Sequence, residues 1–170
     1  MVVPAIPKRC VGGLLAVHEV VGRSADAAVV LERVVAFPEG FFMEVSAWRR
    51  EGDGTIDLLA PEVRKHAPTT PVSVDIIVDI TPTRRVHSRL LGPAPADELV
   101  PYGMAPQGGY FTSGEAHQIF WIWPLPISGP VIVRVDWPGE TLSPGHLQIE
   151  GNLLRAGADQ ARQIWRNLDG

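Results

Sequence analysis

Residues 72–80 alternate between apolar and mostly polar side chains, and this pattern limits the possible folds more than any other feature. The apolar positions are Val72, Val74, Ile76, Val78 and Ile80. A side-chain period of two places one set of residues in a core and the other towards water. The pattern therefore predicts a β-strand, and residues 131–137 predict a second one in the same way.

Other segments also favour strands. Residues 29–37 and 41–50 flank a short Gly-containing loop, which predicts a hairpin. In its second arm, Phe42 and Trp48 are large rings on a mostly polar face, and they would cover a second layer or form a surface patch. Residues 118–123 are nearly all apolar, which is typical of a strand buried on both faces.

The remaining segments are weaker signals. Residues 14–21 and 55–59 predict short strands, and residues 92–109, rich in Pro and Gly, predict a long irregular loop. A C-terminal α-helix is predicted over residues 152–168, with Asn152 as its N-cap. Its apolar face is formed by Leu154, Ala158, Ala161, Trp165 and Leu168. We expect this face to dock against the sheet.

Short strands, Pro/Gly turns and one terminal helix predict a mainly β fold. An antiparallel β-sandwich is favoured, and the alternative is a curved, barrel-like sheet plugged by the helix. The length of 170 residues fits a single β-rich domain over residues 1–170. Residues 1–10 are expected to form a flexible arm.

The charge and composition of the chain limit the kinds of partner and compartment that we expect. The net charge of −4 argues against nucleic acid and anionic membrane surfaces, which need a basic field. The longest apolar stretch, residues 119–126, is too short to span a bilayer. Cys10 is the single cysteine, so no intramolecular disulfide forms. The N-terminus lacks a signal-peptide pattern, and a cytoplasmic protein is expected.

No catalytic motif is present. The sequence contains neither a G-x-S-x-G nucleophile motif nor a phosphate-binding loop. The five histidines are spaced too widely for a local metal pair, so no metal, cofactor or catalytic residue is assigned. Asp75 and Asp79 share one face of a predicted strand, which we interpret as a solvated face. The basic clusters are interpreted as solvated surface charge; they comprise Arg49 and Arg50, and Arg84, Arg85 and Arg89.

The densest feature is aromatic and proline-rich; it spans residues 120–137, and we call it the Trp/Pro unit. Trp121 and Trp123 share one strand face and precede a Pro-Leu-Pro segment. A strand-turn-strand unit with its aromatic rings in the core is favoured. The alternative is a binding patch. The candidate binding residues are Trp121, Trp123, Trp48, Arg84 and Arg85.

The hairpin loop and the segment W-x-x-P-L-P-x-x-G-P, which begins at Trp121, together resemble a group of β-rich proteins from high-GC Gram-positive bacteria. The Trp-Pro step at residues 137–138 and a C-terminal helix ending near a tryptophan belong to the same pattern. The likeness covers residues 29–165. It implies no known activity and therefore no catalytic residues.

The sequence favours a non-catalytic binding or assembly module, with a protein partner or self-association as its interaction. One alternative is a small enzyme with a site between residues 92–109 and the sheet, using His87, His117, Arg84 and Arg85. Another is a structural subunit of a larger particle.

Overall fold

A computed structural model of the chain describes residues 6–50, 56–58, 72–88, 92–93 and 102–164. Within these residues the fold is mainly β, with one helix close to the C-terminus. The elements in chain order are β1 (Cys10–Val11), β2 (Gly13–Leu15), β3 (Glu19–Arg23), β4 (Ala27–Phe37), β5 (Gly40–Arg49), β6 (Ile56–Asp57), β7 (Val72–Ser73), β8 (Asp75–Thr81), β9 (Arg84–His87), β10 (Gly92–Pro93), β11 (Gly103–Thr112), β12 (Glu115–Trp123), β13 (Val131–Asp136), β14 (Ser143–Pro144), β15 (His146–Ile149), α1 (Gly151–Asp159) and β16 (Arg162–Gln163).

Two sheets form the body of the described structure. In the main sheet, eight described strands are hydrogen-bonded in the order β10-β11-β12-β5-β4-β3-β14, and β2 also pairs with β4. In the smaller sheet the order is β15-β13-β8-β9. One hydrophobic cluster joins Leu31, Met43 and Phe120 of the main sheet to Val78 and Val133 of the smaller sheet. The predicted β-sandwich is confirmed, and the described strands form no closed barrel.

The predicted strand over residues 72–80 is divided at Val74. β7 pairs in parallel with β6, whereas β8 pairs antiparallel with β13 and β9. The apolar alternation is confirmed for Val74, Ile76, Val78 and Ile80, all of which are buried. The pattern therefore identified the buried face correctly but not the change of pairing partner.

The predicted hairpin is confirmed. β4 and β5 pair antiparallel from Ala27 opposite Arg49 to Phe37 opposite Gly40. Gly40 is needed at this turn because a Cβ there would lie 2.3 Å from the carbonyl oxygen of Ile122. The turn is thus packed directly against the backbone of β12.

The predicted long loop over residues 92–109 is wrong for its described part. β10 and β11 occupy residues 92–93 and 103–112, and residues 94–101 lie outside the described residues. β11 pairs with β12 along its length and with β10 only at Gly103 and Met104. Beyond those two residues no described strand pairs with its other side, and proline is tolerated at such an edge, which suits Pro106.

The helix is shorter than predicted. It runs over Gly151–Asp159, and its N-cap is Glu150, whose carbonyl accepts the N–H of Leu153 at 3.0 Å. Asn152 is therefore inside the first turn, and the N-cap prediction is wrong. Residues 162–163 then pair as β16 with β1 where the helix was predicted to continue, and residues 165–168 of the predicted helix lie outside the described residues. The same pairing orders Cys10 within the predicted arm; residues 1–5 and Trp165 lie outside the described residues.

Candidate functional site

The side chains of Trp121 and Trp123 are buried, and each is 1% exposed. They pack with Phe37 on the outer face of the main sheet, which points away from the smaller sheet. Trp121 also contacts the ring of Phe42, with centroids 4.9 Å apart. Partly buried residues near β1 and β16 pack against the cluster, namely Ile6, Cys10 and Ala161. This placement fits the core interpretation of the Trp/Pro unit and leaves neither indole available to a surface partner.

Arg84 and Arg85 are consecutive residues of β9 in the smaller sheet. Arg85 Nη2 donates to Asp79 Oδ2 at 3.2 Å, and Arg134 Nε donates to the same oxygen at 3.0 Å. Burial raises the pKa of Asp79, but hydrogen bonds from Arg85 and Arg134 outweigh it and lower the pKa. Arg84 lies over the ring of Tyr102 at 5.7 Å. Asp79 is therefore ion-paired, which corrects its interpretation as part of a solvated face.

The histidines of the enzyme hypothesis are not brought together. His87 Nδ1 is 3.0 Å from Asp75 Oδ2 in the smaller sheet, whereas His117 belongs to β12 of the main sheet. Ser88 Oγ donates to Asp75 and accepts the N–H of Ile76. Asp75 is 6% exposed, so its interpretation as a solvated residue is wrong. The hydroxyl of Ser88 bonds to Asp75 and not to the imidazole of His87. A nucleophilic triad requires the hydroxyl to contact the histidine, so this cluster is not arranged as one.

Two β-bulges lie at the same level of the main sheet. The β4–β5 register shifts between Leu31 and Arg33, and the β11–β12 register shifts between Pro106 and Gly108. The paired residues at this level are Arg33, Glu44, Ile119 and Gly108 in successive strands. A bulge inserts one residue and redirects side chains locally, and bulges are frequent beside functional sites.

A pocket opens on the outer face between these bulges. Its volume is about 270 Å³, and its exposed lining is almost entirely apolar. The lining residues are Arg33, Val35, Phe42, Glu44, Gln107 and Ile119. We call this the outer-sheet pocket. Gln107 is the residue inserted by the β11 bulge, so the irregularity in the strand supplies one wall of the pocket.

A polar network borders the outer-sheet pocket. His117 Nε2 donates to Glu44 Oε1 at 2.7 Å, and Arg33 Nη2 donates to Glu44 Oε2. Burial raises the pKa of Glu44, but the hydrogen bonds from His117 and Arg33 outweigh it and lower the pKa. Glu44 is therefore ionised and fixed in orientation. The carboxylate retains further lone pairs for a ligand donor.

Tyr110 extends this network beyond His117. Its ring stacks on the imidazole of His117 with centroids 5.1 Å apart, and its hydroxyl donates to Glu115 Oε1 at 2.9 Å. The hydrogen bond to Glu115 raises the pKa of Tyr110, and burial and the nearby carboxylates add to this effect. The phenol therefore stays protonated at neutral pH, and its ring covers one face of the His117 imidazole.

The arrangement is better suited to binding than to acyl transfer. Ser46 lies directly opposite His117 across the β5–β12 pair, but it is only 3% exposed. β5 is flanked by β4 and β12, so the backbone N–H groups around Ser46 are engaged in the sheet. No free pair of N–H groups is left there to stabilise an oxyanion. Among the described residues, no group of three or more His, Cys, Asp or Glu side chains could hold a metal ion.

Replacing Glu44 with glutamine is expected to lower the free energy of unfolding at pH 7 by about 1–2 kcal/mol, because two charge-assisted hydrogen bonds are weakened. The effect is kept small because the side chain of Arg33 is 54% exposed. The folded-state pKa is lowered, so the stabilisation is present above the ordinary glutamate pKa and is lost as the pH falls through the lowered value. Urea unfolding at pH 7 and in acid measures this, and an equal difference at both would show that charge is not the cause.

The fold and the pocket define a β-sandwich protein with a small, largely apolar site on the outer face of its main sheet. Comparison with family models, curated proteins and solved structures found no match for this chain. Among the described residues, no helix is long and apolar enough to cross a membrane.

The sequence did not identify the outer-sheet pocket, although it contained one signal. Phe42 is an apolar residue on a mostly polar strand face, and the structure places it in the pocket wall. Glu44 and His117 are 73 positions apart, so no local spacing connects them. Trp48 is half-buried near the end of β5 and remains the one candidate tryptophan that reaches the surface.

Proposed function

We propose that the protein is a non-catalytic binding module whose outer-sheet pocket takes a small aromatic ligand that carries a hydrogen-bond donor. The observation that carries this proposal is the apolar pocket bordered by an ionised, fixed carboxylate. Ligand sites are typically concave and mostly apolar, with a few fixed polar groups that orient the ligand.

The size of the outer-sheet pocket supports a small ligand over a protein partner or a second copy of the chain. A volume of about 270 Å³ lies just below the usual range of about 300–1,000 Å³ for small-molecule sites, so the ligand must be small. Val35, Phe42 and Ile119 offer apolar contact to a flat ring. Glu44 accepts a donor from the ligand, and the guanidinium of Arg33 is placed to contact the face of a ring.

The setting we propose is bacterial and cytoplasmic. The single cysteine supports this setting because an intramolecular disulfide is not possible. The Trp-Pro segment supports a relationship to the β-rich proteins of high-GC Gram-positive bacteria that the sequence resembles. The enzyme hypothesis is weakened because His87 and His117 have separate partners in different sheets.

Indole is a suitable probe because it is flat, apolar and has one N–H donor. Titration of the isotopically labelled protein, followed by amide NMR shifts, is expected to show saturable changes at Val35, Phe42 and Ile119. Ile119→Ser should weaken indole binding by about tenfold, because it removes apolar contact area from the pocket.

Ile127→Ser is the matched control. Ile127 is 87% exposed and does not line the outer-sheet pocket, so its replacement should leave indole affinity unchanged. Thermal unfolding of both variants confirms that they fold. Absence of saturable shifts, or equal weakening by the two replacements, would refute the proposed site.

A further inference from the structure

A second concave site lies where β3, β4 and β5 meet. Arg23 pairs with Ala28, and Ala28 pairs with Trp48, so the three side chains form one row across the sheet. Ala28 is small and leaves space between the other two. A cavity of about 410 Å³ opens there. Its lining includes Arg23, Asp26, Ala28, Trp48, Arg49 and Arg50. We call this the arginine site.

The turn beside the arginine site is fixed by Ser24. Its hydroxyl accepts the N–H of Ala27 at 3.0 Å and donates to Glu140 Oε2 at 2.7 Å. The N–H of Arg50 donates to the carbonyl of Asp26 at 2.7 Å, which ties the end of β5 to the same turn. The walls of the cavity are therefore held in place by hydrogen bonds before any ligand arrives.

The charge of the arginine site is opposite to that of the whole protein. Among the described residues that line the cavity, Arg23, Arg49 and Arg50 are basic and Asp26 is acidic, whereas the chain carries a net charge of −4. Glu140 lies beside it, but its two oxygens already face Ser24 and, at 3.7 Å, Arg49. Arg23 and Arg50 are exposed, and they keep donors directed to solvent.

Arginines beside an aromatic ring match a definite ligand chemistry. Guanidinium groups hold phosphate through paired N–H donors, and an indole face stacks on a planar ring. We propose that the arginine site binds a small organic anion in which a planar ring carries a phosphate group. The ring lies against Trp48 and the phosphate contacts Arg23 and Arg50. This site is separate from the outer-sheet pocket and does not depend on the function proposed for it.

Calorimetric titration with 1-naphthyl phosphate tests this proposal. Binding is expected, and it should weaken as salt is added because the contacts are between charges near the surface. Arg23→Gln and Arg50→Gln should each weaken it by about tenfold, since each loses a charge-assisted hydrogen bond. Arg162→Gln is the matched control, because Arg162 is also exposed and lies outside the cavity.

Two further titrations separate the roles of ring and charge. Inorganic phosphate and neutral 1-naphthol should each bind more weakly than 1-naphthyl phosphate. Trp48→Leu should reduce the advantage of 1-naphthyl phosphate over inorganic phosphate, because it removes the stacking face. No binding of 1-naphthyl phosphate, equal loss in the Arg162→Gln protein, or unchanged binding in the Arg23→Gln and Arg50→Gln proteins would overturn the proposal.

Discussion

Replacing Trp121 with alanine is expected to lower the free energy of unfolding by about 3–5 kcal/mol. Trp121 is 1% exposed and contacts the rings of Phe37 and Phe42. Its indole Nε1 has no hydrogen-bond partner among the described residues, so the loss is one of packing and not of a polar contact. Urea unfolding of the wild-type and Trp121→Ala proteins measures the difference.

Trp48→Ala is the matched comparison for this prediction. Trp48 is only half-buried, so its replacement removes less buried apolar surface. Trp48→Ala should therefore lower the free energy of unfolding clearly less than Trp121→Ala. If the Trp121 ring were instead a surface contact for a partner, the Trp121→Ala protein would retain nearly wild-type stability. That result would contradict the core interpretation of the Trp/Pro unit.

Replacing Asp75 with alanine is expected to cost about 2–3 kcal/mol of unfolding free energy. The carboxylate accepts from Ser88 Oγ at 3.2 Å and contacts His87 Nδ1 at 3.0 Å. Ser88 is fully buried, so its hydroxyl would lose an acceptor in a place that water does not reach. Thermal and urea unfolding at neutral pH measure the loss.

Asp136→Ala is the control for Asp75. Asp136 lies directly opposite Asp75 in the β13–β8 pair but is exposed. Its replacement should change the unfolding free energy by no more than about 0.5 kcal/mol, as is usual for surface substitutions. A similarly small change for Asp75→Ala would restore the interpretation of Asp75 as a solvated residue.

The parts of the fold that the sequence predicted are those set by local pattern. Alternation in residues 72–80 identified the buried face, and the loop before Gly40 identified the hairpin. β11 was missed because its glycines and prolines resemble a loop, while its pairing with β12 is long-range. The helix was predicted too long because the pairing of β16 with β1 joins the two ends of the chain.

The candidate site was harder to predict for the same reason. Its residues come from β4, β5, β11 and β12, and sheet register alone brings them to one face. The two bulges that shape the outer-sheet pocket are irregularities of pairing, which side-chain periodicity does not reveal. Phe42 was recognised as an exception on its strand face, but its neighbours were not.

A crystal structure of the protein soaked with indole tests the central claim most directly. We expect the ring in the outer-sheet pocket, between Phe42 and Gln107, with its N–H directed to the carboxylate of Glu44. An empty pocket at saturating indole, or indole bound only elsewhere on the protein, would contradict the claim.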